Sequence, residues 1–306
     1  MVQARRKSST KLYETYIDKW NNYCKAHSID VNTATVTQGL DFLAELFAEG
    51  NRKYSAMNTA RSALSLVIVL PNGVQFGKHP DVTQFMKGIF NIKPTVPRYL
   101  DTWDPNDVLD LLAKWSPAHR LSLRLLTYKT IVLILLVTGQ RPQIIPKLSV
   151  EKMHIGSSSY KFELDHTDLK QGRKNFKVQP LRLKKYAPNK HLCVYHYLSS
   201  YLNRTLDMRG QLKSVFITTR RPFTTPSADS VSRWVKKVLR HAGINTAIYG
   251  AGSTRAASTS KADRMGLSID QILQAGGWTR TSTFQTYYNK PLKSNNTFAE
   301  TVLKRD

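Results

Sequence analysis

The apolar positions in the first part of the chain recur at steps of three and four residues, the spacing of helices that bury one face. This pattern predicts four helices, over residues 12–24, 40–47, 55–70 and 80–90. Gly50 follows the second as a C-terminal stop, the Pro71–Gly73 turn ends the third, and Pro80 begins the fourth. Four short helices of this kind indicate a compact helical bundle.

A break in the pattern separates this bundle from the rest of the chain. Pro94 and Pro97 lie in a stretch without helical period, which favours an extended linker. Asp104 and Pro105 then resemble an N-cap and a first-turn proline ahead of a new helix. The chain is therefore predicted to contain a helical domain, a linker and a second domain, over residues 1–92, 93–103 and 104–306.

The second domain mixes helices with a few strands. A long buried helix is predicted over 121–137, with a break at Thr138-Gly139 and a resumption from Pro142. Strands are predicted over 159–164 and 175–183, joined by a turn at 168–174, with a short strand near 215–218. The other helices are predicted over 191–202, 227–241, 254–265 and 269–274. The expected fold class is mainly α with a small β-hairpin, that is, α+β.

The net charge of the chain and its uneven distribution indicate the kind of partner that the protein binds. The chain carries 46 Lys and Arg against 21 Asp and Glu, a formal net charge of +25. Residues 1–110 contribute a net +2 and residues 111–306 a net +23. Between Leu169 and Ala228 the only acidic residue is Asp207. Such a one-sided field attracts phosphate backbones or anionic lipid, although a basic surface can also serve solubility alone.

Other compositional features exclude several classes of protein. The longest apolar run, 131–137, is too short to span a membrane, and no apolar signal region follows the N-terminal charges. Cys24 and Cys193 are the only cysteines, too few for a disulfide framework or a cysteine zinc site. These features favour a protein of a reducing compartment, with no membrane partner.

Three segments of the second domain carry the candidate chemistry. They are Thr138-Gly-Gln-Arg141, Gly252-Ser-Thr-Arg255, and Gly277-Trp278 followed by Ser282-Thr-Phe-Gln-Thr-Tyr-Tyr288. In this order they resemble the catalytic motifs of the tyrosine recombinase (phage integrase) family. The wording Ser253-Thr-Arg-Ala-Ala-Ser-Thr-Ser-Lys261 and Ala275-Gly-Gly-Trp278 is similar to the Crypton- and DIRS-type branch of eukaryotic mobile elements.

The resemblance implies a helical, SAM-like core-binding domain and a mixed catalytic domain that together form a C-shaped clamp around duplex DNA. It also implies that a tyrosine hydroxyl attacks a phosphodiester, leaving a 3'-phosphotyrosyl enzyme and a free 5'-hydroxyl, with no cofactor and no metal. Arg141 and Arg255 match the family's two arginines. Guanidinium groups suit this role because they bind two phosphate oxygens at once and stay charged.

The resemblance also implies a third cation, a lysine on the hairpin that protonates the leaving 5'-oxygen. Lys170 matches it, in the turn Leu169-Lys-Gln-Gly-Arg173. Lys174 and Lys177 are rivals for this role. Arg173, Lys174 and Lys177 are also candidate contacts to DNA phosphates, because the segment from His166 to Lys190 inclusive contains eight Lys and Arg.

The sequence leaves two neighbouring tyrosines, Tyr287 and Tyr288, as candidates for the nucleophile. Trp278 matches the family's His or Trp, which packs near the tyrosine and donates one hydrogen bond toward the phosphate. Some branches place the tyrosine nine positions later, at Tyr287, and the nearer relatives one position further, at Tyr288. Tyr288 is preferred here, because Phe284 and Tyr287 share a helical face suited to packing.

Two departures from the family pattern bear on activity. Gly252 stands where the second-arginine motif has a histidine, and Ile144 stands where an acid usually follows the first arginine. Loss of an imidazole would slow a recombinase or mark a DNA-binding protein that keeps the fold without catalysis. Glycine also admits a positive φ, a structural reason for Gly252 unrelated to catalysis.

The expected partners are double-stranded DNA and further copies of the chain, as a homodimer on one site and a homotetramer in the synapse. The eukaryotic branch implies the nucleus as the site of action. The C-terminal tail, 290–306, contains Phe298, Val302 and Leu303 at helical spacing and is expected to pack against a neighbouring protomer. A type IB topoisomerase shares the tyrosine chemistry, but the motifs are more similar to recombinases.

Overall fold

A computed structural model describes residues 7–50, 52–71, 73–95, 97–165 and 178–293. The chain forms two compact units, Met1–Pro97 and Arg98–Asp306. Each has a hydrophobic core of its own. None of the described helices has both the length and the apolar character needed to cross a membrane.

The first unit is a helical bundle. Its described residues form four α-helices: α1, Lys7–Ala26; α2, Val36–Ala48; α3, Tyr54–Leu64; and α4, Pro80–Ile92. Thr35 and Gln38 form a capping box at the start of α2, and Pro80 occupies the first turn of α4. The apolar stripes of the helices meet in one core, with Trp20 and Met57 fully buried.

The third helix is shorter than the predicted 55–70, because α3 ends at Leu64. Ser65 then leaves the helix and its hydroxyl accepts a hydrogen bond from the Gly77 amide, at 2.8 Å. Further on, Val69 forms an isolated antiparallel bridge with Gln75. The β-branched run Val67-Ile68-Val69 favours this extended path over a continued helix.

The second unit is built around one buried helix. Helix α6, Leu123–Thr138, is capped by the Ser122 side chain and ends at Gly139, whose φ of 58° is the left-handed conformation that favours glycine. The other described helices are α5, Pro105–Lys114; α7, Val194–Arg204; α8, Leu206–Arg209; α9, Ala228–His241; α10, Ser253–Arg264; α11, Ile269–Gly276; and α12, Thr281–Tyr287. Helices α7, α9 and α10 pack around α6.

The segment after α6 differs from the prediction of a resumed α-helix. It is a 3₁₀ helix, Pro142–Lys147, with Pro146 inside it. A proline has no amide hydrogen and its ring disfavours the preceding residue in the α conformation, so two prolines keep this segment short. Within this segment, Ile145 is buried.

The predicted hairpin is part of a small antiparallel sheet. Strands β1, Met153–Ile155, β2, Ser159–Phe162, and β3, Leu181–Lys184, lie in the order β1-β2-β3. Phe162 pairs with Met153 on one side and Leu181 on the other. The sequence did not indicate β1, since three residues with mostly exposed side chains carry no hydrophobic pattern. The predicted turn, 168–174, lies outside the described residues.

The strand predicted near 215–218 is wrong. Ser214 forms an isolated bridge with Ser149, and the buried residues that follow it belong to none of the described strands. Side chains take the place of a strand: the Arg209 guanidinium donates to the carbonyls of Ser214 and Val215, at 3.1 and 2.7 Å. The hydroxyl of Tyr201 accepts from the Ile217 amide, at 3.0 Å.

The end of the predicted linker, 93–103, belongs to the second unit. Trp103 is buried in its core and donates its indole hydrogen to Ser253 Oγ at 2.9 Å. Thr102 is also buried, and its amide donates to the carbonyl of Pro291 at 2.8 Å. The Lys293 amide donates to the Thr102 carbonyl at the same distance. Residues 291–293, in the described beginning of the predicted tail 290–306, thus bond to the start of their own unit and not to a neighbouring protomer, whereas Phe298, Val302 and Leu303 lie outside the described residues.

Candidate active site

The position of the first arginine, Arg141, is set by the way in which α6 ends. Gly139 terminates the helix in the left-handed conformation, and the chain turns so that Arg141 becomes the residue before the 3₁₀ helix. Its backbone is extended there, with φ −79° and ψ 148°. The side chain is half-buried and lines a cleft of about 490 Å³. Arg141 is therefore held at the wall of an open, polar cleft.

The second arginine is a buried link between three segments. Arg255 lies in the first turn of α10 and is 1% exposed. Its Nη1 donates to the Gly139 carbonyl at 2.9 Å, and its Nη2 to the Gly276 carbonyl at 2.6 Å. These carbonyls lie at the C-terminal ends of α6 and α11, where the helix dipole places partial negative charge. The two helix ends thus stabilise the buried cation.

Trp278 covers the guanidinium. The centroid of its ring lies 3.9 Å from Cζ of Arg255, the arrangement of a cation–π contact. This closeness requires a glycine at position 276, since a Cβ there would lie 2.1 Å from the Trp278 ring. The indole Nε1 is buried and has no hydrogen-bond partner within the described residues. A buried donor without a partner is a group that an added acceptor would satisfy.

Tyr288 lies against both arginines. It follows α12, whose Phe284 is buried with Ile272 and Trp278 in a small apolar cluster. Its hydroxyl accepts a hydrogen bond from Nη2 of Arg141 at 3.0 Å. Its ring centroid lies 4.6 Å from that of Trp278, and 5.0 Å from Cζ of Arg255.

Tyr287, the alternative nucleophile, lies apart from the two arginines and Trp278. Its side chain is 67% exposed, while Phe284 is fully buried. The expected packing of Tyr287 beside Phe284 is therefore wrong. The backbone of Tyr288 has left the helical conformation, with φ −125° and ψ −28°, and this change turns its side chain onto Trp278. The structure thus brings together Arg141, Arg255, Trp278 and Tyr288, and leaves out Tyr287.

The electrostatics of the site are dominated by its two cations. Burial, reinforced by the charge of Arg141, lowers the pKa of Arg255 to about 9, which is still above neutral pH. Arg255 is therefore cationic at pH 7, beside a second guanidinium that donates to the Tyr288 hydroxyl. Positive charge fixed beside a phenol oxygen and an open cleft stabilises negative charge that develops there.

Gly252 is not required by the backbone. Its φ of −70° and ψ of −15° are angles that any residue adopts. It is exposed, and a Cβ added to it would meet no atom within 4 Å among the described residues. A positive φ therefore does not explain the glycine at this position, and a larger side chain would fit. Ile144, at the position of the family's acid, is buried.

The candidate cations of the hairpin, Lys170, Arg173, Lys174 and Lys177, lie outside the described residues. The described strand β3 nevertheless supplies Arg182 and Lys184 to the same cleft that Arg141 lines. From the sequence, Arg182 and Lys184 were recognised only as members of a basic segment and not as residues of the site. The described residues contain no group of three His, Cys, Asp or Glu side chains that could hold a metal ion.

Comparison with known proteins shows what this arrangement is similar to. No protein-family model and no curated protein sequence matches the chain. Among solved structures, the XerH site-specific recombinase bound to its difH substrate covers 96% of this chain and 78% of its own, with a TM-score of 0.58 and 15% identity. The fold is that of the tyrosine recombinases.

Two further tyrosine recombinases support this assignment of the fold. The Tn1549 transposon integrase, in complex with circular intermediate DNA, covers 98% of this chain and 95% of its own at 13% identity, with a TM-score of 0.58. A lambda integrase dimer bound to a COC' core site covers 96% and 93% at 12% identity, with a TM-score of 0.53. The mainly helical tyrosine-recombinase fold with a small antiparallel sheet is thus confirmed.

Proposed function

We propose that this protein is a site-specific DNA recombinase or integrase that cleaves and rejoins DNA through Tyr288. The observation that carries the proposal is the 3.0 Å hydrogen bond between the Tyr288 hydroxyl and Arg141, beside the buried Arg255. A nucleophile that is hydrogen-bonded to a cation at the wall of a cleft, with a second, buried cation beside it, has the groups that phosphodiester attack requires. The fold shared with DNA-bound recombinases supports the same reaction class.

The proposed reaction exchanges one phosphodiester for another. The Tyr288 oxygen attacks phosphorus and loses its proton to water, and the bond from phosphorus to the 5'-oxygen breaks. The products are a 3'-phosphotyrosyl bond and a 5'-hydroxyl that has gained a proton, in our proposal from Lys170. Attack by a 5'-hydroxyl on the phosphotyrosyl bond reverses these changes on the same or another strand. No water is consumed, because the bond energy is kept in the protein–DNA link.

The proposal assigns a role to each candidate side chain of the site. Arg141 stabilises the charge on the non-bridging oxygens, as its guanidinium can bind two oxygens together, and the buried charge of Arg255 adds to the positive field. The Trp278 Nε1, which has no partner within the described residues, is a further donor for a phosphate oxygen. Arg182 and Lys184, with Arg173, Lys174 and Lys177, contact DNA phosphates. Their charge accounts for part of the net +23 of residues 111–306.

The assembly and setting belong to the same proposal. We propose a dimer on each DNA site and a tetramer in the synapse. A lambda integrase tetramer bound to a Holliday junction is one of the similar structures. The Crypton- and DIRS-type wording of the motifs supports a mobile element of eukaryotes, acting on DNA in the nucleus.

The experiment that tests this function is covalent trapping. Duplexes that bind the protein are first selected from a random pool and then given a nick beside each candidate cleavage position. After cleavage the short strand diffuses away, so the phosphotyrosyl adduct accumulates and migrates as a protein–DNA band in a denaturing gel. Wild type is expected to form the adduct without added metal, and Tyr288→Phe is expected to form none.

Gly252 favours a second function, a DNA-binding protein that keeps the fold without catalysis. The position is open and exposed, yet it lacks the family's imidazole. In this case duplexes would still be selected from the pool, with salt-dependent affinity, but no nicked duplex would give an adduct. The trapping experiment thus separates the two functions.

A further inference from the structure

We propose that Ser260 is a positioning residue for Tyr288, and that its hydroxyl fixes the backbone from which the nucleophile projects. This inference rests on the proposed function. Ser260 lies in α10, the helix that carries Arg255, and it is fully buried. Ser260 lies within the motif segment Ser253–Lys261, but the sequence analysis gave it no role.

The hydroxyl of Ser260 is used in both directions. It donates to the carbonyl oxygen of Tyr288 at 2.7 Å and accepts from the amide of Lys290 at 2.9 Å. Donor and acceptor capacity of a hydroxyl are both engaged, by the two peptide groups on either side of Asn289. One buried side chain therefore holds the chain immediately after the nucleophile.

Other contacts hold the same short segment. The Asn289 side chain donates to an Asp263 carboxylate oxygen at 3.0 Å, and Arg264 Nη1 donates to the Lys290 carbonyl at 3.2 Å. These partners also lie on α10, but in its more exposed last turn. Ser260 is the buried member of the set, where loss of a hydrogen bond costs most.

The chain before Tyr288 is held separately. The Tyr288 amide donates to the Phe284 carbonyl at 2.8 Å, and Phe284 is fixed in its apolar cluster. Tyr288 is thus restrained on both sides, by Phe284 before it and Ser260 after it. The backbone restraint matters because the hydroxyl lies at the far end of a long side chain, so a small rotation at Cα displaces it from Arg141.

The geometry connects both halves of the site through one helix. Arg255 and Ser260 lie five residues apart on α10. Arg255 binds the ends of α6 and α11, and Ser260 binds the segment that follows α12. Helix α10 therefore sets the distance between the nucleophile and the cations. A displacement of about 1 Å in a reacting group can reduce a rate about a hundredfold.

The test compares four variants of the full chain with wild type. Ser260→Ala removes both hydrogen bonds. Ser260→Cys keeps the size of the side chain with a much weaker donor and acceptor, in case the alanine variant is unstable. Ser260→Thr keeps the hydroxyl and is the rescue. Ser258→Ala is the matched control, because Ser258 also lies on α10 but its hydroxyl donates to the Arg255 carbonyl of the same helix, at 3.3 Å.

The first readout is the rate of adduct formation with a nicked duplex, measured over a range of duplex concentrations. For Ser260→Ala and Ser260→Cys we expect the rate at saturating duplex to fall about tenfold to a hundredfold. The duplex concentration that gives half of this rate should stay within about twofold, because the cleft is unchanged. Ser260→Thr should recover most of the rate. A maximal rate for Ser260→Ala and Ser260→Cys equal to that of Ser258→Ala would overturn the proposal.

The second readout does not depend on activity. Hydrogen exchange of the Lys290 amide reports directly on its bond to Ser260, and we expect it to speed up in Ser260→Ala but not in Ser258→Ala. Unchanged exchange at Lys290 would overturn the proposal. If wild type forms no adduct, the proposed recombinase function fails, while exchange still decides whether Ser260 positions Tyr288.

Discussion

The Tyr288 hydroxyl accepts a hydrogen bond from Arg141, a residue 147 positions earlier in the same chain. One chain therefore supplies both the nucleophile and the cation that contacts it. The partners around them, Arg255 and Trp278, come from this chain too. All four described groups of the site thus belong to one copy, and this organisation can be tested by mixing variants.

Mixtures of two inactive variants should stay inactive. Arg141→Ala removes the cation and Tyr288→Phe removes the nucleophile, so a mixture has no protomer with both. We expect no adduct from the mixture on a nicked duplex with two binding positions, while each variant mixed with wild type gives an adduct. Adduct from the Arg141→Ala and Tyr288→Phe mixture would show that one chain supplies its tyrosine to another.

Substitution of the two neighbouring tyrosines, Tyr287 and Tyr288, should have very different effects on adduct formation. Tyr288→Phe is expected to abolish the adduct, because it removes the hydroxyl held by Arg141. Tyr287→Phe should change the trapping rate by less than about twofold, since that side chain is mostly exposed. Peptide mapping of the trapped species locates the phosphotyrosyl bond. An adduct formed by Tyr288→Phe and mapped to Tyr287 would move the nucleophile.

Position 252 should accept a histidine without loss of fold. Gly252 has φ −70° and open space around it, so Gly252→His should leave the melting temperature nearly unchanged. If the protein is a slowed recombinase, the imidazole should raise the trapping rate by about tenfold or more. Gly252→Ala is the matched control, as it adds a side chain without an imidazole. Equal rates for the two variants would mean that the missing imidazole is not what limits the reaction.

Binding to DNA should depend steeply on salt, because each phosphate contact releases counterions. Affinity, measured by fluorescence anisotropy, should fall by orders of magnitude between about 50 and 200 mM salt. The salt dependence is expressed as the slope of the logarithm of affinity against the logarithm of salt concentration. Arg182→Gln and Lys184→Gln should each reduce the magnitude of this slope by about one, as both residues line the cleft. Lys213→Gln should leave it unchanged, since Glu151 already pairs with Lys213 at 2.9 Å. A flat salt dependence in wild type would contradict DNA binding.

A buried lysine should make stability depend on pH. Lys129 is fully buried in α6, where its Nζ donates to the Trp115 carbonyl and lies 3.6 Å from the Tyr197 ring centroid. Burial lowers the pKa of Lys129 from 10.5 to about 7. Above pH 7 the folded protein releases this proton and the unfolded chain keeps it until about 10.5, so the free energy of unfolding rises with pH.

Lys129→Met should remove this rise while keeping the volume of the side chain. Urea unfolding of wild type and variant is compared between about pH 7 and 9, which is below the usual tyrosine pKa of about 10. We expect the variant to be the more stable by the largest margin at about pH 7, with the margin shrinking as the pH increases. Parallel stability curves would show that Lys129 does not release its proton in the folded protein.

Much of the fold follows from local patterns in the sequence. Helical periodicity and capping residues predicted the bundle of the first unit and the long buried helix before Gly139. Short extended segments were harder, because β1 has no buried alternation and the chain near Val215 bonds to side chains such as Arg209 rather than to a strand. Tertiary partners of this kind leave no periodic signal in a sequence.

The candidate site was predicted from the order of its motifs rather than from spacing in one element. Residues as distant as Arg141 and Tyr288 share a site only after folding. The preference for Tyr288 rested partly on packing of Tyr287 that does not occur. Ser260 could not be predicted, since a serine inside a helix usually bonds to its own helix, as Ser258 does.

The carbonyl contacts of Arg255 bear on how an inactive form of this protein should be made. Because this side chain joins the ends of α6 and α11, Arg255→Ala would leave the Gly139 and Gly276 carbonyls without their donor and open a void beside Trp278. A loss of activity in that variant would mix chemistry with damage to the scaffold. Tyr288→Phe removes one hydroxyl and no buried packing, so it is the variant from which a binding-competent, cleavage-deficient protein should be prepared.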